Sequence, residues 1–402
     1  MNELSSLGLI LLFALAAGHL VKYARIPEVT GYILAGVAVG PAGLGWVSHE
    51  NLSALEVFSE VALGLILFSI GSIFEFGRVR KAGSAILRLT AFESLTAGLL
   101  VAGSMLLFGQ RWEVALVLGS IAMATAPAST LMVLRERNAS GPLTDALTGV
   151  IGINNILCLT AFALVAAAID LSTAGSGGEA LRTIYRSAYI LVWQLVGSVA
   201  LGFLVGILLA AWAKRVTEHG EVLILFIGAV LLCVGTALLL ELSTLMASLA
   251  VGATMANLSS QTRRVLDELS QSDPPFYAIF FVIAGAGLDP ALILELGLLG
   301  LVYVGVRALG KAGGAKIGAR RSGFDPSVQK YLGLALLSQA DLAIGIALTV
   351  DKRFPEIAAA VTTVVLAAVT ICDLAGPIAV RVAIDRAGEA NPAPPLVLES
   401  AE

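Results

Sequence analysis

Two adjacent asparagines, Asn154 and Asn155, stand near the centre of an apolar span that runs from Leu143 to about Ala168. The preceding span, Trp112 to Arg135, is interrupted by Ala124-Thr125-Ala126-Pro127-Ala128-Ser129-Thr130. Proline lacks a backbone donor and collides with the turn before it, so Pro127 kinks or breaks any helix running through it. Inside a membrane, broken backbone persists only where protein or a watered cavity satisfies the freed groups. A broken helix beside a polar pair at mid-membrane has the form of a transporter ion site. The chemistry open to these side chains is coordination of a hard cation. The asparagine carbonyls, the Thr125 and Ser129 hydroxyls and the Gln339 amide are all neutral oxygen donors. Two plainer uses stand beside this one: Asn pairs hydrogen-bond neighbouring membrane helices together, and hydroxyls bond back to their own helix.

Among the charged residues within apolar spans, Glu93, Arg307, Lys311 and Asp341 are the candidates for chemistry. A cation at the bilayer centre costs about 2.5–3.5 kcal/mol on insertion scales, so it needs a partner or water. Arg307 and Lys311 are one turn apart and share a helix face. Arg307 is expected to reach Glu93 or Asp341, whereas Lys311 either joins it or snorkels toward the cytoplasm. Asp341 lies in Ser338-Gln339-Ala340-Asp341-Leu342, where a second helix break is expected. It is either a cation ligand held by half-helix dipoles or a fixed counter-ion. Glu93 is either a salt-bridge partner for the basic pair or a residue on a dimer face.

These residues need a membrane scaffold. The chain has 402 residues, 57% hydrophobic and 13% charged. That composition excludes a soluble domain and gives no basic arm for nucleic acid. Apolar spans separated by charged or Pro/Gly breaks predict an all-α polytopic protein of about thirteen helices. They cover 4–23, 28–43, 55–75, 82–108, 112–135, 143–169, 183–213, 219–241, 243–258, 275–294, 296–319, 329–350 and 355–384. The first is read as a retained helix. Of the 25 Lys and Arg, seventeen fall in alternate loops or flank the C-terminus on that side, and five fall in the other loops. The asymmetry predicts an outside N-terminus and a cytoplasmic C-terminus.

Gly36 and Gly71 have counterparts in Gly252 and Gly285, about 214–216 residues on. The same offset carries Glu93 onto Arg307 and Pro127 onto Asp341. Repeats over about 4–169 and 219–385, joined by a linker helix 183–213, would be inverted relative to each other. The transmembrane unit is expected to cover 1–387, with 388–402 a Pro/Ala/Glu-rich disordered tail. Cys158, Cys233 and Cys372 read as small core residues. No metal set and no catalytic motif is present, so neither a cofactor nor an enzymatic role is expected.

Pro27-Glu28-Val29-Thr30-Gly31-Tyr32-Ile33-Leu34-Ala35-Gly36, ending Gly40-Pro41, resembles the second-helix signature of the monovalent cation–proton antiporter superfamily, most of all its Kef-type and bacterial sodium–proton exchanger branch. Phe280-Phe281-Val282, Arg307-Ala308-Leu309-Gly310-Lys311 and Leu336-Leu337-Ser338-Gln339-Ala340 resemble it too, over nearly all of residues 5–385. The resemblance implies a homodimer in the bacterial inner membrane, a core domain with two crossed broken helices (the fifth and twelfth), and elevator-like exchange of Na⁺ or K⁺ for H⁺. It also implies that Arg307, or else Lys311, pairs with an acid on the sixth helix.

That acid is missing. Where the family has Asp-Asp, Asn-Asp or Gln-Asp, this chain has Asn154-Asn155. Asparagine neither titrates nor carries charge. Proton coupling is therefore expected to be weak or absent unless Asp341, or failing that Glu93, has taken over. The alternatives are a sensor or passive conduit on the same scaffold, or a variant whose native carboxylates were replaced.

Overall fold

The computed structural model describes residues 3–24, 26–72, 76–173, 192–216, 219–259, 274–288 and 297–391, with Tyr185, Tyr189, Ile190 and Ala291 besides. The described residues are helical, with no strand among them. In chain order they form α1 (Glu3–Tyr23), α2 (Glu28–Val39), α3 (His49–Gly71), α4 (Phe76–Leu107), α5 (Trp112–Ala122), α6 (Pro127–Glu136) and α7 (Pro142–Thr173). A π-helical turn, Trp193–Gly197, leads into α8 (Ser198–Ala213). Then come α9 (His219–Leu239), α10 (Thr244–Leu258), α11 (Pro274–Ala286), α12 (Gly297–Arg321), α13 (Pro326–Ala335), α14 (Asp341–Arg353) and α15 (Pro355–Ala387). The start of the expected linker helix, up to residue 191, lies mostly outside the described residues, as does 392–402.

Local chemistry sets the ends that differ from the sequence reading. α2 stops at Val39 rather than 43, because Gly40 is extended and Pro41 follows it. α3 begins at His49 rather than 55, where the Ser48 hydroxyl accepts from the Asn51 amide. Its polar first turn, His49-Glu50-Asn51, hid that start from a hydropathy count. α10 begins after Ser243, whose hydroxyl accepts from the Met246 amide, and Glu241 just before it sits at φ +55°. The fifth span is broken: α5 ends at Ala122 and α6 begins with Pro127 in its first turn. The twelfth breaks between Ala335 and Asp341.

Seven helices among the described residues are long and apolar enough to cross a membrane, counting Trp112–Glu136 as one. Shorter apolar helices such as Glu28–Val39 and Pro274–Ala286 lie among them. Leu107, Leu239 and Leu4 are at least 80% exposed, which suits lipid and not water. α12 is not among the seven, because Arg307 and Lys311 lower its hydropathy; it buries them instead.

Packing groups the helices into two modules. α4–α7 pack with α12–α15, α12 lying along α4 and α15 against α13 and α14. α1–α3 pack with α8–α11. α15 and α6 run against α2 where the modules meet, and the Glu28 amide at the start of α2 donates to Glu136 Oε2 of α6 at 2.9 Å.

Two glycine contacts tie the second module together. Gly36 of α2 lies against the backbone of Val282 and Gly285 on α11, and Gly285 against Ile33. Gly71 of α3 meets Leu249 on α10 in the same way, and Gly252 meets Phe68 and Gly71. Small residues let membrane helices approach this closely. A methyl group at Gly36 or Gly252 would overlap a carbonyl oxygen of the facing helix. Gly36→Ala or Gly252→Ala is expected to cost about 1–3 kcal/mol, the usual cost of overpacking. Gly228→Ala, which meets nothing within 4 Å, is expected to be neutral. Melting curves in detergent check the contrast; equal midpoints for all three variants would contradict it.

Candidate functional site

The two helix breaks meet inside the first module. The Ala126 amide donates to the Ser338 carbonyl at 3.1 Å, and the Ser129 and Ser338 hydroxyls share a hydrogen bond of 2.6 Å. The Thr125 hydroxyl donates to the Leu336 carbonyl at 3.4 Å. Most of the α5–α6 span is buried, as broken backbone in a membrane requires.

Arg307 fills the junction. Its Nε donates to Ala122 O (3.2 Å), Nη2 to Ala124 O (2.7 Å) and Ser338 O (3.3 Å), and Nη1 to Leu337 O (2.7 Å). These carbonyls close α5 and α13, ends that carry partial negative charge. A planar, five-donor guanidinium satisfies two helix C-termini at once, which a point charge cannot. The expected pairing of Arg307 with Glu93 is therefore corrected. Arg307 is bonded to freed backbone, and Glu93 does not pair with it. The Asp341 side chain lies outside the described residues; its backbone opens α14.

Glu93 belongs to Lys311. The ammonium is 2.5 Å from Glu93 Oε1, and both side chains are fully buried. Lys311 therefore does not snorkel: insertion depth is set by α12 packing on α4. Gly310 and Gly314, flanking Lys311, lie against Ala97 and against Phe92–Glu93. Lys311 also donates to Met123 O (2.5 Å) and Thr125 Oγ1 (3.0 Å). Ser94 donates to Glu93 Oε2 at 2.8 Å.

The asparagines adjoin the same break. Asn154 Nδ2 donates to Thr125 Oγ1 (2.8 Å) and Met123 O (3.4 Å), and Asn155 Oδ1 accepts from the Thr125 amide (3.3 Å). Gln339 Nε2 donates to Ile121 O and to the Tyr303 hydroxyl, both at 3.0 Å. Among the described residues, Asn154 Oδ1 and Gln339 Oε1 are buried without a hydrogen-bond partner. Buried polar atoms are rarely left so, and both are carbonyl-type oxygens of the kind that coordinate a hard cation.

Thr125, Asn154, Asn155, Lys311 and Glu93 thus form one connected cluster. Arg307, Ser129 and Gln339 adjoin it through the two breaks. Sequence reasoning missed Ser338, Tyr303, Cys158 (which donates to Ser120 O) and the buried carboxylate Asp373, which follows Cys372 on α15. The signal for Asp373 was present, an acid in mid-span. Cys372 Sγ is 3.8 Å from Arg307 Nη1.

A cavity of about 430 Å³ opens between the modules on the Arg135–Asp145 side, lined by Ser69, Tyr277, Asp145 and Thr148 among others. Asp145, Thr148 and Asn155 are three and seven residues apart on α7, so they share one helix face. Asn155 lies on the same face of α7 two turns beyond Thr148, and it is buried.

Residues after α15 hold this end of α7. Glu389, 5% exposed, accepts from the Leu143 amide (2.6 Å), the Thr144 amide (2.7 Å) and the Thr144 hydroxyl (2.7 Å). It caps α7 across 246 positions, its charge matched to the positive helix end. The Asn391 amide donates to Arg137 O at 3.0 Å. Residues 388–391 are thus ordered, where the sequence reading placed a disordered tail from 388. Glu389→Ala is expected to lower stability by about 2 kcal/mol, the loss of a charge-assisted cap. Thermal unfolding in detergent checks this; an unchanged midpoint would show that water replaces the carboxylate.

Helices broken around buried charges at the centre of a multi-pass membrane protein define a secondary-transporter fold. The sodium/hydrogen exchanger transmembrane family matches residues 8–384, and the chain belongs to that family. It is 28% identical over 358 residues to the ammonium/H⁺ antiporter subunit AmhT of Alkalihalophilus pseudofirmus, covering 86% of each chain. It is also 28% identical over 268 residues to the glutathione-regulated potassium-efflux system protein KefC of Cronobacter sakazakii, covering 65% of this chain. That match spans only 41% of KefC. Two structures of the sodium proton antiporter MjNhaP1 from Methanocaldococcus jannaschii share the fold, with TM-scores of 0.72 and 0.74. They cover 96–97% of this chain and 97–99% of theirs, at 16–17% identity.

Proposed function

We propose that the chain exchanges a monovalent cation, Na⁺ or K⁺, for protons, with the Glu93–Lys311 pair doing the work of the absent sixth-helix acid. The buried contact between Glu93 and Lys311, bonded into the Met123–Thr125 break, carries this reading. A coupled exchanger needs a group whose charged form attracts the cation and which holds a proton in the alternate state. The asparagines cannot supply it; this pair can. In the resting state Glu93 is ionised and Lys311 protonated. Cation entry displaces the ammonium from Glu93, Lys311 loses one proton, and the carboxylate, the Thr125 hydroxyl and the Asn154 and Gln339 carbonyls face the ion. One positive charge enters as one leaves, so the charge of the site is unchanged. Arg307 stays in place and keeps both breaks open.

The two-module packing supports alternating access in which α4–α7 and α12–α15 move against the rest, the cavity at Asp145 and Thr148 being the cytoplasmic approach. The glycine contacts between α2 and α11 and between α3 and α10 support the inverted repeat. The family membership and the basic-residue asymmetry support a homodimer in the bacterial plasma membrane with the N-terminus outside. The relatives named for potassium and ammonium support a monovalent ion.

The test is flux in proteoliposomes with a lumenal pH dye and imposed Na⁺ or K⁺ gradients. The unaltered chain is expected to move protons against either ion, and Glu93→Gln to abolish that movement. Equal flux in both would remove Glu93 from the exchange.

A further inference from the structure

We propose that the groove between α12 and α13 holds an anionic phospholipid, with an acyl chain in the groove and the phosphate between Lys316 and Lys330. The groove measures about 870 Å³, within the roughly 300–1,000 Å³ typical of ligand clefts. Gly305, Ala308 and Ala312 hollow out the α12 wall at helical spacing, and Gly333 of α13 closes the groove floor against the Ala312 backbone. The outer wall faces the bilayer, since Leu309 is 71% and Leu301 61% exposed.

One end of this apolar channel carries Lys316 from α12 and Lys330 from α13, both exposed. Among the described residues no carboxylate lies within ion-pair distance of either. The Lys330 ammonium rests 5.1 Å from the Tyr331 ring. Arg320 and Arg321 follow on the same end of α12. This end falls on the basic side of the protein, which in bacteria and elsewhere faces the cytoplasmic leaflet, where anionic lipid attracts such residues. An apolar channel closed by two unpaired cations matches an amphiphile with an anionic head. A second copy of the chain is a poor match, because a two-fold contact here would bring the lysines of both copies together. At its inner end the groove is closed by Leu337, whose carbonyl accepts from Arg307 at 2.7 Å. A chain in the groove would brace α13 against α12 beside the helix break.

The purified protein in detergent is titrated with dioleoyl-phosphatidylglycerol, dioleoyl-phosphatidylcholine or inorganic phosphate while its melting midpoint is followed. Phosphatidylglycerol is expected to raise the midpoint by several degrees, and the other two to leave it unchanged. Lys316→Gln and Lys330→Gln are each expected to weaken the apparent affinity roughly fivefold, the effect of one lysine at an anionic surface. Gly305→Leu projects into open space and is expected to block the lipid effect with the lipid-free midpoint retained. If that variant does not fold, the two exposed lysines still decide the matter. Equal stabilisation by phosphatidylcholine, or by phosphate alone, would overturn the proposal. So would an unchanged phosphatidylglycerol response in both lysine variants, or disulfide capture of Leu309→Cys between two copies.

Discussion

Arg307→Ala is expected to be among the most destabilising single changes in the chain. The guanidinium donates to four carbonyls at the ends of α5 and α13; alanine removes that donor from all four, and among the described residues only Ser338 O keeps another, the Ala126 amide. Hydrogen bonds to charged groups contribute about 1.5–3 kcal/mol each, and an orphaned buried group costs its full desolvation penalty. Simple addition would give about 6–12 kcal/mol, comparable to the roughly 5–15 kcal/mol margin of a typical protein, but neighbouring bonds do not add. A loss of about 3–5 kcal/mol is therefore the expected result, read as a melting midpoint in detergent. Arg307→Lys is expected to recover only part of it, because an ammonium cannot span both helix ends. Full recovery by lysine would mean that charge, not the planar fork, holds the breaks.

The second large effect is at Lys311. Removing one partner of a buried ion pair typically costs about 3–5 kcal/mol, because the other charge is left uncompensated. Lys311→Met and Glu93→Leu are each expected to show that loss. The double variant is expected to regain most of it, since replacing a buried pair by apolar residues is often neutral. Flux is expected to vanish in all three. The split between stability and transport separates a working pair from a merely structural one: a double variant that is stable and still exchanges would make the pair structural. Additive losses in the double variant would show that the residues are not coupled.

The sequence made the first break legible because proline marks it. It made the burden of charge on α12 legible because Arg307 and Lys311 stand in an otherwise apolar span. It did not say which cation meets Glu93. Arg307 and Lys311 share a face, and the choice depends on carbonyls that become free only when both helices break and meet. The second break has no proline. It falls at 336–340, ahead of Asp341 rather than around it, and only the polar Ser338-Gln339 hinted at it. The Glu389 cap joins positions 246 apart through a segment whose composition resembles a tail, so no local pattern could reveal it. Gly36, Gly71, Gly252 and Gly285 were visible as a spacing; that each meets a facing helix backbone is a tertiary fact.

The absent acid at Asn155 changes what the family fold must do here. Glu93 reaches the break from α4 through Lys311, which is in contact with Thr125, itself bonded to both asparagines. Asn155→Asp would place a second carboxylate within this network. It is expected to compete with Glu93 for Lys311 and to add pH-dependent cation binding.

The most direct test is isothermal cation binding to the purified protein across a pH series, with proton release measured in two buffers of different ionisation enthalpy. The account predicts release of about one proton per Na⁺ or K⁺ bound and tighter apparent binding as pH rises, with both effects lost in Glu93→Gln and in Lys311→Met. Cation binding without proton release, or binding and release that persist in both variants, would contradict it.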